Sequence, residues 1–155
     1  MKFSSKEDIE APIGAVFAVL SEFESFERQA IRRGADIQRL GAIEPPQVGI
    51  GWQAGFSFRG RQRDLKVTLT EFDPDSRISV TADGDGLTGR MELELLALAP
   101  GRTRLSVAMT LEPKTLSARL LVQSLKLAKA KLTKKFKQRV AEFAALTEQR
   151  LGRAA

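Results

Sequence analysis

The sequence predicts an α+β fold, an antiparallel sheet closed against one long C-terminal helix, as a single domain over residues 1–155. Two observations carry that prediction. From Ala35 to Leu111 apolar and polar residues alternate with a period of two, the pattern of strands with one buried and one wet face. From about Thr115 to Leu151 there is neither proline nor glycine, and apolar residues recur at steps of three and four.

Taken in order, residues 2–10 suit a first strand, with Phe3 and Ile9 in phase. Ala11-Pro12 ends it, because proline cannot donate to a ladder but can open a helix. Ile13, Val16, Phe17 and Leu20 then fall at helical spacing over residues 13–20. A second short helix over Ser25–Arg33 stops at Gly34. In the alternating region the successive apolar faces are Trp52/Ala54/Phe56/Phe58, Leu65/Val67/Leu69, Ile78/Val80/Ala82, Met91/Leu93/Leu95 and Leu105/Val107/Met109/Leu111. Pro45-Pro46, Gly60, Asp73-Pro74-Asp75, Asp83-Gly84-Asp85-Gly86 and Pro100-Gly101 mark the turns, and the short gaps predict a meander of hairpins. Beyond Pro113, Leu121, Leu125, Ala128, Leu132, Phe136, Val140 and Phe143 form one helical stripe. A helix that long measures about 54 Å against about 33 Å for a ten-residue strand, so its end must overhang the sheet or bend.

Composition narrows the chemistry. Hydrophobic residues make up 43% and charged residues 28% of the chain, a globular balance rather than a disordered one. The chain has no cysteine, histidine or tyrosine. Disulfides, thiolate metal sites and imidazole bases are therefore excluded, and any catalysis would run on Asp, Glu, Lys, Arg, Ser or Thr. No segment approaches the roughly 20 apolar residues of a membrane span, and Met1-Lys2-Phe3-Ser4-Ser5-Lys6-Glu7-Asp8 carries no hydrophobic signal region, which reads as a soluble, cytoplasmic protein. No metal or cofactor signature is present. Asp83-Gly84-Asp85-Gly86 lacks the further ligands and closing glutamate of a calcium loop and reads as a hairpin turn. Gly49-Ile50-Gly51 lacks the lysine and following helix of a phosphate loop.

The order strand, two short helices, run of antiparallel strands, long helix resembles the START-like (Bet v 1-like) superfamily, which includes polyketide cyclases and lipid-transport proteins. Asp8-Ile9-Glu10-Ala11-Pro12 followed by Val16-Phe17 and Leu20 is similar to that superfamily's passage from strand one into helix one. The Phe72-Asp73-Pro74 turn is similar too. The resemblance implies a helix-grip fold, a curved sheet wrapped around the last helix with a cavity between them. It also implies a hydrophobic ligand such as a lipid, sterol, polyketide or quinone. No motif carries a subfamily's catalytic residues.

On that fold Trp52, Phe56, Phe58, Val67, Leu69, Val80, Met91, Leu93, Val107 and Met109 face the helix, where Leu125 and Leu132 oppose them. These residues either wall a cavity for a hydrophobic or amphipathic small molecule or simply fill the core. Lys129 falls on the same helical stripe, and three readings of it stand open: an anchor for a ligand's anionic group, a side chain that snorkels to water, or a partner of an inward Glu7 or Glu71. An enzyme of cyclase or hydrolase type would use Glu7 or Glu71 as its base.

Charge is unevenly spread. Residues 114–155 hold eleven Lys or Arg against Glu142 and Glu148, a net +9, whereas residues 1–113 carry −3. Lys126, Lys131, Lys134, Lys135, Lys137 and Arg139 lie off the apolar stripe with no acid between Thr115 and Ala141. This face reads as solvated, as a docking surface for an anionic membrane, or as one for nucleic acid or the ribosome, although interleaved aromatics for base stacking are missing. Arg28, Arg32 and Arg33, with Arg59, Arg61 and Arg63, form a second basic group, read as surface ion pairs or as a clamp at a cavity mouth.

Overall fold

The computed structural model describes residues 1–154. Strand β1 (Lys2–Ile9) leads into helices α1 (Ile13–Leu20) and α2 (Phe23–Arg32). Six strands follow: β2 (Asp36–Arg39), β3 (Gly51–Phe58), β4 (Arg61–Asp73), β5 (Arg77–Gly84), β6 (Leu87–Ala99) and β7 (Arg102–Pro113). Helices α3 (Leu116–Leu127) and α4 (Lys129–Ala154) complete the chain. The sheet is antiparallel throughout, in the order β1-β7-β6-β5-β4-β3-β2. The predicted meander is therefore present, with β1 returning to pair with the last strand.

Side-chain alternation sets the inner face. Phe3, Met109, Met91, Val80 and Leu69 form one cross-strand row, and Ser5, Val107, Leu93, Ile78 and Phe72 form the next. The interior is not uniform along these strands. Near α1, Ile9, Val16, Phe17, Leu20, Leu69, Ile78, Leu95 and Leu105 pack into a closed core with Val140 and Ala144 of α4. Phe72 stacks there on Phe17 with ring centroids 5.3 Å apart. The buried Thr103 hydroxyl donates to the Ala11 carbonyl at 2.8 Å and fastens β7 to the turn before α1. Arg150 forks both oxygens of Glu22 at 2.6 and 2.7 Å, tying α4 to the α1–α2 turn.

Toward the other end the inner face thins. The row that follows Phe3 and Met109 runs through Leu111, Gly89, Ala82 and Val67, and two of its four side chains are a hydrogen and a methyl group. Leu111 leans over Gly89, where a Cβ would stand 3.6 Å from its Cδ2.

The predicted single helix over 115–151 is interrupted at Ala128. Its φ/ψ of −106°/18° leave the helical range, and its N–H turns back to the Leu125 carbonyl at 3.0 Å. No proline or glycine marks this point. The break resolves the excess length: α4 covers the sheet and α3 folds separately over its thin end. Thr115 caps α3 by accepting from the Ala118 N–H at 3.2 Å. Gly86, at φ +71°, lies so close beneath Thr115 that a Cβ there would stand 2.3 Å from its hydroxyl. The Asp83–Gly86 stretch is thus the β5–β6 hairpin turn on which the start of α3 rests.

Candidate ligand-binding site

Three adjoining cavities lie between the sheet and the helices. The first, about 430 Å³, is enclosed by Phe56, Phe58 and Leu65 of β3–β4, Met109 and Leu111 of β7, Leu121 and Leu125 of α3, and Leu132 and Phe136 of α4. The second, about 350 Å³, shares Met109, Phe136 and Arg139 with the first and continues along Met91, Leu93 and Val107 toward Leu20 and Phe26. The third, about 290 Å³, shares Leu20, Phe26, Met91 and Leu93 with the second and extends under α2 to Trp52, Val67 and Val80. Volumes of this order suit small apolar ligands.

The residues singled out from the sequence divide accordingly. Phe56, Phe58, Leu125 and Leu132 line the first cavity, and Met109 borders the first and second. Met91 and Leu93 border the second and third, Val107 the second, and Trp52, Val67 and Val80 the third. Two do not belong to these walls. Leu69 is 0% exposed inside the closed core. Lys129 is exposed as the first residue of α4: it keeps helical phase with Leu132, Phe136 and Val140, but it borders none of the three cavities. Its place as a cationic neighbour of the cavity is taken by Lys135 and Arg139, which border the first cavity. Arg139, read from the sequence as off the stripe, stands seven residues after Leu132 and three after Phe136, at the stripe's edge.

Phe3, Leu65, Leu87, Leu111, Leu121 and Phe136 also line the first cavity. All but Leu87 were already visible in the alternation or the stripe; what the sequence did not reveal is which members face a void and which face packed neighbours.

The polar groups at the rim are mostly paired. Arg63 bonds Asp85, Arg61 reaches the same carboxylate at 3.1 Å, and the guanidinium of Arg63 lies 5.8 Å from the Phe58 ring centroid. Arg59 sits over the same ring at 5.7 Å and donates to the Ser124 hydroxyl at 3.0 Å, linking the β3–β4 hairpin to α3. Arg28 pairs with Glu24 one helical turn away. Most of this second basic group therefore forms ion pairs and aromatic contacts rather than a clamp. Beneath the third cavity the Trp52 indole N–H donates to Glu27 at 2.7 Å, and Arg39 grips the same carboxylate with two bonds of 2.7 and 2.8 Å. The Arg39 bonds, reinforced by Trp52 and opposed by burial, hold the Glu27 carboxyl below its ordinary value of 4.5.

The carboxylates considered as bases stand elsewhere. A β-bulge between Leu69 and Glu71 resets the alternation of β4, so Phe72 points inward and Glu71 outward. Glu71 there accepts from the Ser79 hydroxyl at 3.0 Å and lies 3.7 Å from Arg77. Glu7 is half-buried on β1 and borders none of the three cavities. Among the described residues no cluster of three His, Cys, Asp or Glu side chains is arranged to hold a metal ion.

Element order, sheet topology and the helix laid across the concave face define the helix-grip fold of START-like, Bet v 1-like structures. The solved structures that share it agree. A START superfamily protein from Mycobacterium smegmatis superposes with a TM-score of 0.56 at 16% identity, over 90% of this chain and 99% of that one. The Zhui aromatase/cyclase from Streptomyces sp. R1128 gives a TM-score of 0.66 at 12% identity, over 97% and 95%. Truncated norcoclaurine synthase from Thalictrum flavum gives 0.62 at 12% identity, over 81% and 82%. No family model matches the sequence, and no curated protein matches it. Identities this low establish the fold alone.

Proposed function

We propose that this chain binds a hydrophobic or amphipathic small molecule, lipid-like in shape, between its sheet and C-terminal helices, and that it does so without chemistry. The observation that carries the reading is the run of adjoining apolar cavities, which begins between Phe58 and Leu121 and continues to Trp52. Apolar walls with few polar groups favour ligands by area removed from water, and the paired Arg63–Asp85 offers little to a reacting centre. The outward placement of Glu71 favours binding over acid–base turnover.

Native mass spectrometry of the freshly purified protein, followed by organic extraction, tests the proposal. The expected result is one bound apolar molecule per chain, or uptake of one from a lipid extract. Met109→Trp, which adds bulk where the first two cavities meet, is expected to abolish that uptake while leaving the fold intact by circular dichroism. A bare protein mass with no uptake from the extract would refute the reading.

A further inference from the structure

Helix α3 is amphipathic on both sides. Ala118, Val122 and Leu125 are buried toward the body of the protein. On the opposite side Leu116, Leu120 and Leu127 are 74%, 59% and 92% exposed. At about 100° per residue these three leucines fall within an arc of about 40°, and at 1.5 Å per residue they form a ridge about 16 Å long. Arg119 and Lys126 line one side of the ridge on α3, and exposed Lys129, Lys131 and Lys134 follow it at the start of α4. No acidic residue lies between Thr115 and Ala141, and among the described residues none of these five cations has a carboxylate within salt-bridge distance.

We infer that this ridge docks the protein on an anionic lipid bilayer, the leucines entering the acyl–headgroup boundary and the cations meeting the headgroups. An aliphatic ridge interrupted by Gln123, with cations along one side, Ser117 and Ser124 along the other and no acid nearby, matches the two signals, apolar insertion and electrostatic attraction, that hold an interfacial helix on a membrane. Other occupants fit less well. A second copy of the chain would bring Arg119 and Lys126 against like charges. Nucleic acid would find no aromatic ring on which to stack a base. Among the described residues no helix is long and apolar enough to cross a membrane, and an α3 that docks in this way would lie along the bilayer surface. The inner face of α3 supplies Leu121 and Leu125 to the first cavity, so docking sets that cavity against the bilayer.

The docking does not depend on the cavity being occupied, and the experiment keeps the two apart. Flotation of the full chain with vesicles of zwitterionic lipid is compared with flotation on a three-to-one mixture of zwitterionic and anionic lipid. Binding is expected only to the anionic vesicles, and it should weaken strongly at about 1 M salt, where the Debye length shrinks to about 3 Å. Leu120→Gln with Leu127→Gln, both exposed and helix-compatible, should lower partition about tenfold per leucine without changing the circular dichroism. Met109→Trp, designed to close the cavity, should bind vesicles as the parent does. The inference is overturned if the anionic vesicles capture nothing, or if the glutamine pair binds them unchanged. It is equally overturned if the parent is a dimer in solution that the glutamine pair dissociates while vesicle binding stays absent.

Discussion

Leu65 and Leu69 lie on the same strand and the same inner face, four residues apart, yet at opposite ends of the division between void and core. Truncating each to alanine removes the same atoms and asks what surrounded them. Leu69 is 0% exposed, so Leu69→Ala should cost about 3–5 kcal/mol, the transfer loss plus a new cavity. Leu65 is half-buried and already faces a void of about 430 Å³. Its loss forfeits about half the transfer energy of a leucine and creates little new cavity, so Leu65→Ala should cost about 1 kcal/mol. The opposite substitution separates them again: Leu69→Phe should cost about 1–3 kcal/mol through overpacking, and Leu65→Phe less than about 1 kcal/mol. Urea unfolding followed by the fluorescence of Trp52, the chain's one tryptophan, reads all four variants through the midpoint at constant slope. If Leu65→Ala proves as costly as Leu69→Ala, the space beside Leu65 is filled in solution and the cavity argument fails.

Two further outcomes follow from the polar groups. Arg39 holds the Glu27 carboxyl, and Arg150 the Glu22 carboxyl, below the ordinary glutamate value of 4.5. The stability these pairs contribute is therefore complete above about pH 4.5 and is lost as pH falls through the lowered folded values. Glu27→Gln should cost about 1–2 kcal/mol at neutral pH and flatten the decline of the midpoint in acid; an unchanged acid profile would remove Glu27 as its cause. For an acyl-chain carboxylate as probe ligand, Arg139→Met should weaken binding several-fold whereas Lys129→Met should not. Isothermal titration that shows the reverse order would put the anionic group at the α3–α4 bend instead of beside Phe136.

The architecture was largely legible because each element had a local cause. Period-two alternation from Trp52 onward specified strands and their faces, Pro12 bounded α1, and the short turns left few topologies other than a meander. Two features were not legible, and each is set by tertiary geometry. The break at Ala128 comes in a run of good helix formers with no proline or glycine to mark it. The bulge after Leu69 turned Glu71 outward, and a single inserted residue leaves no compositional trace in a strand that still alternates on either side. Lys129 keeps phase with Leu132, Phe136 and Val140 within α4, and its exposure at the helix's first residue depends on what lies beneath that end, which a helical wheel does not carry. The exposed ridge of α3 escaped for a related reason. Leu116, Leu120 and Leu127 pattern as readily as Leu121 and Leu125, and only the sheet's position decides which set is buried.

The fastenings of the inner face lie away from the first cavity. The closed core around Val16, Leu69 and Leu105 is fastened by Thr103, by the Glu22–Arg150 fork and by Asp8, whose two bonds from Arg104 hold β1 to β7. None of these groups borders the first cavity. The walls of that cavity, in contrast, include Leu121 and Leu125 from a helix held at its start by Thr115 and the Gly86 turn and at its middle by one bond from Arg59 to Ser124. A ligand there would contact α3, which packs on the body of the protein through Ala118, Val122 and Leu125.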